Sequence, residues 1–364
     1  MKHFEFVLTG GPCSGKTTCL SVLEQQLSQK GFKVMVVPET ATELIASGIT
    51  PWELSQRVFQ DILISRLKNK QETVRRAVQS LGQDTVVLYD RGLLDSKAYI
   101  NTDLFRRILA KNGMSEIVER DHYDAVFHLV SAADGAEQFY TLENNAARTE
   151  TIEQARFIDQ KTKQAWVGHP HLRVIDNSTD FNGKINRLMT EITTAMGIPV
   201  PIEIEKKFLI QRPTELQLFA TGAVRQQILQ VYLKSADPAV ESRVRKRGIG
   251  GEFSYFYTEK RPTGGMGRIE TERKISEREF GAALKNAEKF VRKDRYCFLH
   301  QNQYFELDIY PDAKNWAVLE IELTNEAQHV SLPHWVSVIK EVTQDKRYKN
   351  AALAKKITAG YERE

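Results

Sequence analysis

Glu203-Ile204-Glu205-Lys206-Lys207 places Glu203, Glu205 and Lys207 two residues apart, and the same beat recurs through the second half of this chain. Arg243, Arg245 and Arg247 follow, then Thr258 with Lys260, then Glu270, Glu272 and Lys274. Lys293 with Arg295, Glu306 with Asp308, and Glu320 with Glu322 complete the series. Side chains of a strand alternate faces, so each set points one way. The residues between are often apolar, as with Phe305, Leu307 and Ile309, or Leu319, Ile321 and Leu323. The pattern predicts a sheet with one apolar face and one face carrying both signs of charge.

A one-sided antiparallel sheet shows polar alternation simply because one face is wet. For any single pair that account suffices. The set is harder to explain that way, because acids gather on the first and last strands while Arg and Lys gather on others. Arginine, moreover, suits bidentate binding of phosphate oxygens. If the sheet closes on itself, a dry ionic lining would cost several kcal/mol per ion, so it must hold water, metal and an anion.

Glu203 to Lys207 fits the ExExK signature of the CYTH superfamily, the triphosphate tunnel metalloenzymes. Arg243-Val244-Arg245 resembles the family's RxR strand and Thr258-Glu259-Lys260 its TxK strand, and the later pairs fall in the family's order. Asp345 to Asn350 is similar to its closing basic element. The resemblance covers about residues 200–355. It implies an α+β domain, an eight-stranded antiparallel β-barrel with flanking helices and a polyphosphate in the tunnel. Lys207, Arg243, Arg245, Lys260 and Arg295 would then neutralise a triphosphate from several walls. Hard oxygen donors suit Mg²⁺ or Mn²⁺, so Glu203, Glu205, Glu320 and Glu322 are expected to hold metal, with Glu272 and Asp308 as further candidates. In hydrolytic members one metal would organise the phosphates and another activate water.

The first half opens on Gly10-Gly11-Pro12-Cys13-Ser14-Gly15-Lys16-Thr17, which fits the phosphate-loop pattern. Phe4 to Leu8 reads as a buried strand before it and Thr17 to Gln29 as a helix after it, a helix that also carries Thr18. Backbone N–H groups would cradle phosphates, Lys16 would reach the β/γ oxygens, and Thr17 would ligate Mg²⁺. Pro12 has no N–H to give. The run Thr85 to Tyr89 ends at Asp90-Arg91-Gly92, where Asp90 is either a metal partner or a turn acid. This segment resembles the DRG element of nucleoside- and nucleotide-kinase-like P-loop proteins. Glu39, after the strand Val34 to Val37, is a general base by that resemblance or else a surface acid. Thr149 to Val167 reads as a charged helix with Arg156, preceded by Arg148. In related kinases lid arginines contact phosphates, though a solvated face explains either residue. Asp124 to Val130 and Arg173 to Asp176 are further strands, and Asn177 stands where base-contacting loops lie. Alternating strands and helices predict a doubly wound parallel α/β sheet. The whole arrangement resembles the TRPL translocation defect proteins, which join a nicotinamide-riboside-kinase-like P-loop domain to a CYTH barrel in this order.

Gly197-Ile198-Pro199-Val200-Pro201 is the natural boundary, giving domains 1–198 and 199–364. With 364 residues and 41% hydrophobic content the chain can bury two cores. A net charge of +4 does not argue for nucleic acid. Cys13, Cys19 and Cys297 show no metal spacing and an odd count, against a disulfide framework. The absence of a leader or a spanning apolar run predicts a soluble cytoplasmic protein. The leading reading is a triphosphatase coupled to an ATP- or GTP-binding P-loop domain. The partners are nucleotides and polyphosphate-type small molecules, and the oligomeric state stays open. A small-molecule or nucleoside kinase with an accessory barrel, and a nucleotide-gated binder of anions without turnover, are the alternatives.

Overall fold

The computed structural model describes residues 2–140, 151–198, 204–235, 237, 239–262, 268–323 and 327–356. Glu203 and Arg148 lie outside them. The chain divides into two compact units, Met1–Met196 and Gly197–Glu364.

In the first unit β1 (His3–Thr9) carries Phe6, Val7 and Leu8 with no exposed surface, so it must lie inside a sheet covered on both faces. Around it stand β2 (Lys33–Val37), β3 (Thr85–Asp90), β4 (Ala125–Leu129) and β5 (Leu172–Ile175). They form a parallel sheet in the order β2-β3-β1-β4-β5. Each parallel step needs a crossover, and helices supply them. These are α1 (Lys16–Gln29), α2 (Thr40–Ala46), α3 (Gln56–Ser80), α4 (Thr102–Lys111), α5 (Glu116–Arg120), α6 (Ile152–Ala165) and α7 (Phe181–Ala195). The β1–β3 register sets Leu8 beside Asp90, which brings the two loops of interest to one edge. α6 starts later than the sequence pattern suggests, because Thr151 and Gln154 form a reciprocal capping box that fixes the helix start.

The second unit is antiparallel. Its strands are β6 (Ile204–Gln211), β7 (Val224–Leu233), β8 (Glu241–Ile249), β9 (Glu252–Pro262), β10 (Arg268–Ile275), β11 (Ala287–His300), β12 (Gln303–Ile309), β13 (Trp316–Leu323), β14 (Val338–Glu341) and β15 (Lys355–Lys356). The order is β10-β9-β8-β7-β11-β12-β13-β6-β14, with β15 against β11. Among the described residues no ladder joins β10 to β14, so the hydrogen bonds draw a ten-stranded sheet rather than the closed eight-stranded barrel expected.

Two faces are sharply different. One carries Phe208, Ile210, Phe305, Leu307, Leu319 and Ile321 around Leu218 of α8 (Glu215–Ala220), and Val231 with Val244 around Phe280 of α9 (Glu277–Ala283). The helices cover this face because its alternate residues are apolar. The opposite face holds Lys207, Gln226, Gln230, Arg247, Thr258, Lys293 and Asp308, each no more than 9% exposed. Ionic groups so deeply covered must find partners in one another. Phe305 is fully buried and stacks on Phe298 with ring centroids 5.5 Å apart. Phe305→Ala is therefore expected to lower unfolding free energy by about 3–5 kcal/mol, read from urea denaturation; a loss below about 1 kcal/mol would show that this face is not a core.

Candidate functional site

The phosphate loop leaves β1 and ends at Gly15, whose φ of 81° admits the left-handed turn that starts α1 at Lys16. The N–H groups of Lys16, Thr17 and Thr18 precede the first helical bond, made by Cys19 to Gly15, and so face outward with the positive end of α1 behind them. Thr17 and Thr18 are exposed at this end. Lys16 Nζ lies 3.4 Å from both Gly10 O and Ser14 Oγ. Burial, then the nearby Arg91, lower its pKa.

Three further acids and one arginine surround Lys16. Asp90 has a buried Oδ1 with no hydrogen-bond partner, and burial raises its pKa although Lys16 opposes the shift. Arg91 adopts φ 68°, a left-handed conformation unusual for a residue with a β-carbon. That turn aims its Nε at Glu39 Oε1, 2.6 Å away, and brings Nη1 within 3.6 Å of Asp95. Asp95 accepts from Thr9 and from the Gly92 N–H. Burial opposes ionisation of Glu39, but Arg91 and Lys16 outweigh it and hold the carboxyl below its usual range. An unpaired, buried carboxylate oxygen beside a lysine and a helix start fits a divalent cation shared by Asp90 and Thr17.

Sequence reasoning missed what holds the loop. Asp159 of α6 accepts from the Gly11 N–H at 2.7 Å and the Ser131 N–H at 3.1 Å, with His128 Nε2 at 3.2 Å. A β-carbon on Gly11 would lie 2.7 Å from that of Asp159, so the approach requires glycine. Burial opposes the Asp159 charge, yet His128 and the Gly11 N–H keep its pKa low. From the other side Lys184 reaches Val130 O at 2.6 Å, Asn177 Oδ1 at 2.7 Å and Ser14 O at 3.4 Å, and burial brings its pKa down to about 8. Asn177 is thus engaged in holding Lys184 and the carbonyls of Ser131 and Asp134. Arg156 bonds Ala133 O and pairs with Glu137 at 2.5 Å. An aspartate inside α6 and a lysine in the first turn of α7 belong to no motif, so nothing in the sequence marked them.

In the second unit the expected residues other than Glu203, which lies outside the described residues, share the ionic face. Arg295 contacts Glu306, both oxygens of Asp308 and Glu320. Lys293 shares Asp308 and also touches Asn350 Oδ1 at 3.1 Å. Lys207 lies 3.0 Å from Glu205 and 3.2 Å from Glu320; burial lowers its pKa, but Glu320 and Glu205 together outweigh burial and raise it. Arg245 pairs with both oxygens of Glu272, and Thr258 Oγ1 donates to the same carboxylate at 2.8 Å. Arg243 stands opposite Thr258, and Lys260 lies one alternate position farther along β9. Asp308 and Glu272, expected as metal donors, thus have their oxygens engaged by cations.

Glu205, Glu306 and Glu320 also meet Lys207 or Arg295, but they face other acids as well. Glu306 faces Glu320 directly across β12 and β13, and Glu322 faces Glu205 across β13 and β6. Like charges directly opposite destabilise a sheet. Burial raises the Glu306 pKa, and Glu320, Glu322 and Asp308 add to that shift against Arg295. Two facing carboxylate pairs fit a cation that neutralises them. Among the described residues no three such groups already converge into a metal cage.

A phosphate-loop α/β unit followed by an antiparallel unit with a buried ionic face defines a two-part, phosphate-handling chain. A family described as an AAA domain matches residues 5–184. The chain is 36% identical over 160 residues to an inorganic triphosphatase of Nitrosomonas europaea, covering 43% of this chain and 98% of that protein. Over that stretch it belongs to the family of this inorganic triphosphatase. A crystal structure of an inorganic triphosphatase is 31% identical and matches 42% of this chain and 93% of its own, with a TM-score of 0.31. A Pyrococcus horikoshii protein of known structure is 17% identical over 34% of this chain and 80% of its own, with a TM-score of 0.27. No helix among the described residues is long and apolar enough to cross a membrane.

Two outcomes follow from this geometry. Asp159→Ala frees the Gly11 amide and unpins the loop, and is expected to weaken nucleotide binding about tenfold, measured by calorimetry. Asp308→Asn leaves Lys293 and Arg295 covered beside a neutral group, and is expected to cost about 3–5 kcal/mol in denaturant unfolding. Burial alone would raise the Asp308 pKa, but Arg295 and then Lys293 hold it below its ordinary 3.8. Its stabilisation is therefore complete at neutral pH and lost as pH falls through the folded value.

Proposed function

We propose that the second unit hydrolyses a triphosphate with the help of a divalent metal, and that the first unit binds ATP or GTP in the phosphate loop. The observation that carries this reading is that one face gathers arginines on β8 and facing carboxylates, interleaved with Arg295 and Lys207, on β11, β12, β13 and β6. Arg243, Arg245 and Arg247 line up on β8, while Glu306 faces Glu320 and Glu322 faces Glu205 on other strands of the same face. A polyphosphate is complementary to the arginines and a cation to the facing carboxylates.

In this reading the ionic face is the lumen of a CYTH-type tunnel, and the chain is a relative of the TRPL translocation defect proteins. Lys207, Arg243, Arg245, Lys260 and Arg295 bind the anion. Asp308 and Glu272 orient Arg295 and Arg245: Arg295 gives Nε and Nη2 to Asp308, and Arg245 gives Nη2 to both oxygens of Glu272, which leaves their remaining N–H groups in a fixed direction. Glu205, Glu320 and Glu322, with Glu203, would hold Mg²⁺ or Mn²⁺. That ion supplies charge neutralisation and a water of lowered pKa. Inorganic triphosphate is the substrate proposed first, a nucleoside triphosphate second, in a cytoplasmic protein.

The cluster around Arg91 favours one further role for the first unit. A strained arginine gripping Glu39 beside Lys16 and Asp90 positions an acid where an acceptor hydroxyl would lie, which suits transfer of a phosphoryl group to a small molecule. Label moving from ATP to an organic acceptor supports that role, and hydrolysis alone across a broad acceptor panel removes it.

Phosphate release from tripolyphosphate, ATP and GTP separates the two units. Lys16→Ala is expected to leave tripolyphosphate cleavage within about threefold of wild type while abolishing nucleotide binding. Glu203→Ala/Glu205→Ala is expected to lower tripolyphosphate cleavage by about a hundredfold or more. Equal losses in both variants would show that the chemistries are not separate.

A further inference from the structure

Outside the phosphate loop of the first unit, three cations converge on one carboxylate. Glu116, in the first turn of α5, is buried. Its Oε1 lies 2.7 Å from Lys97 Nζ and 2.9 Å from Arg120 Nη2, and its Oε2 lies 3.5 Å from Arg106 Nε. Lys97 belongs to the short 3-10 helix Leu93–Ala98 after the Asp90-Arg91-Gly92 turn, Arg106 to α4 and Arg120 to α5. Separate elements thus deliver positive charge to one point.

The charges do not cancel. One carboxylate against three cations leaves positive charge in excess. Arg120 is 1% exposed, and its Nε and Nη1 have no hydrogen-bond partner. A buried guanidinium in that state is costly unless a further anion stands near it. Burial lowers the Lys97 pKa, and Arg120 and Arg106 lower it further against Glu116. The cluster is also open to solvent on one side, because the side chains of Lys97 and Arg106 are 17% and 56% exposed. Arg106 approaches Glu116 through Nε, which leaves the Nη end of its fork for another acceptor.

We propose that Lys97, Arg106 and Arg120 form an anion site for a phosphate-type oxyanion. The ion sits between Lys97 and Arg106 at the surface, Arg120 supplies fixed charge beneath it, and Glu116 holds the three cations together. A lysine and a guanidinium fork donate from different directions, and an oxyanion offers a separate oxygen to each, which a monatomic anion does not. Free orthophosphate and the phosphate group of a phosphomonoester share this chemistry.

The test titrates the full chain with orthophosphate, glycerol 3-phosphate and chloride by calorimetry. Lys97→Gln and Arg106→Gln are each expected to weaken one orthophosphate site about tenfold, whereas Lys97→Arg keeps it within about threefold of wild type. Lys16→Ala and Arg245→Gln, which alter the phosphate loop and the β8 arginines, are expected to leave this site in place. Orthophosphate binding indifferent to both Lys97→Gln and Arg106→Gln, or absent from Lys16→Ala or from Arg245→Gln, overturns the proposal. Chloride binding with the affinity of orthophosphate overturns it as well. Tighter binding of glycerol 3-phosphate than of orthophosphate assigns the site to a phosphorylated small molecule, and the reverse order to the free ion. Arg106 is mostly exposed, so Arg106→Gln keeps the question decidable if thermal melting shows that a Lys97 variant is unfolded.

Discussion

Asp308 lies between Lys293 and Arg295 with no exposed surface, and the second unit is arranged around that contact. A buried carboxylate alone would take up a proton, and two buried cations alone would repel each other. Together they leave one net positive charge, which Arg295 passes on to Glu306 and Glu320. Glu320 in turn meets Lys207, and Lys207 meets Glu205. The face is a chain of alternating charge running across β11, β12, β13 and β6. Its pairs exist because the sheet brings alternate residues of four strands onto one surface, and the sheet is stable because its other surface is apolar and covered by helices.

The same economy operates in the first unit on a smaller scale. The phosphate loop is held from behind by Asp159 and Lys184, which take up backbone groups that would otherwise be unsatisfied. In front, Arg91, Glu39, Asp90 and Asp95 surround Lys16 with compensating charge. Backbone strain at Arg91 is spent on directing one side chain, in the way strained residues at functional sites commonly are. Rigid support behind and a charged, partly unpaired group in front are what a phosphate site requires.

Much of this was legible in the sequence, for identifiable reasons. Period-two alternation told the ionic face of β6, β8, β11, β12 and β13 from the apolar one, because a strand offers no other way to place such residues. The phosphate loop was legible because its glycines, lysine and threonine serve one backbone geometry. Which acids face cations and which face each other was not legible. Asp308 and Glu320 look alike in sequence, and only register shows that Asp308 lies opposite Arg295 while Glu320 lies between Glu306 and Lys207. Asp159 and Lys184 were invisible because their partners are backbone groups distant in the chain. The expected closed barrel followed from the family resemblance, whereas the described ladders run from β10 to β14 without meeting.

The strand order of the second unit also governs how the chain can be made. β6 is its first strand to leave the ribosome, yet its partners are β13 and β14, both near the end of the unit. Until those strands emerge, Phe208 and Ile210 have no neighbour across the sheet, and an unpaired apolar edge is a hazard during synthesis. The hairpins from β7 to β10 can form in succession while β6 waits. Completion of this unit is thus a late event that waits for β13 and β14 to be translated, and products truncated before them would carry an open, adhesive first strand.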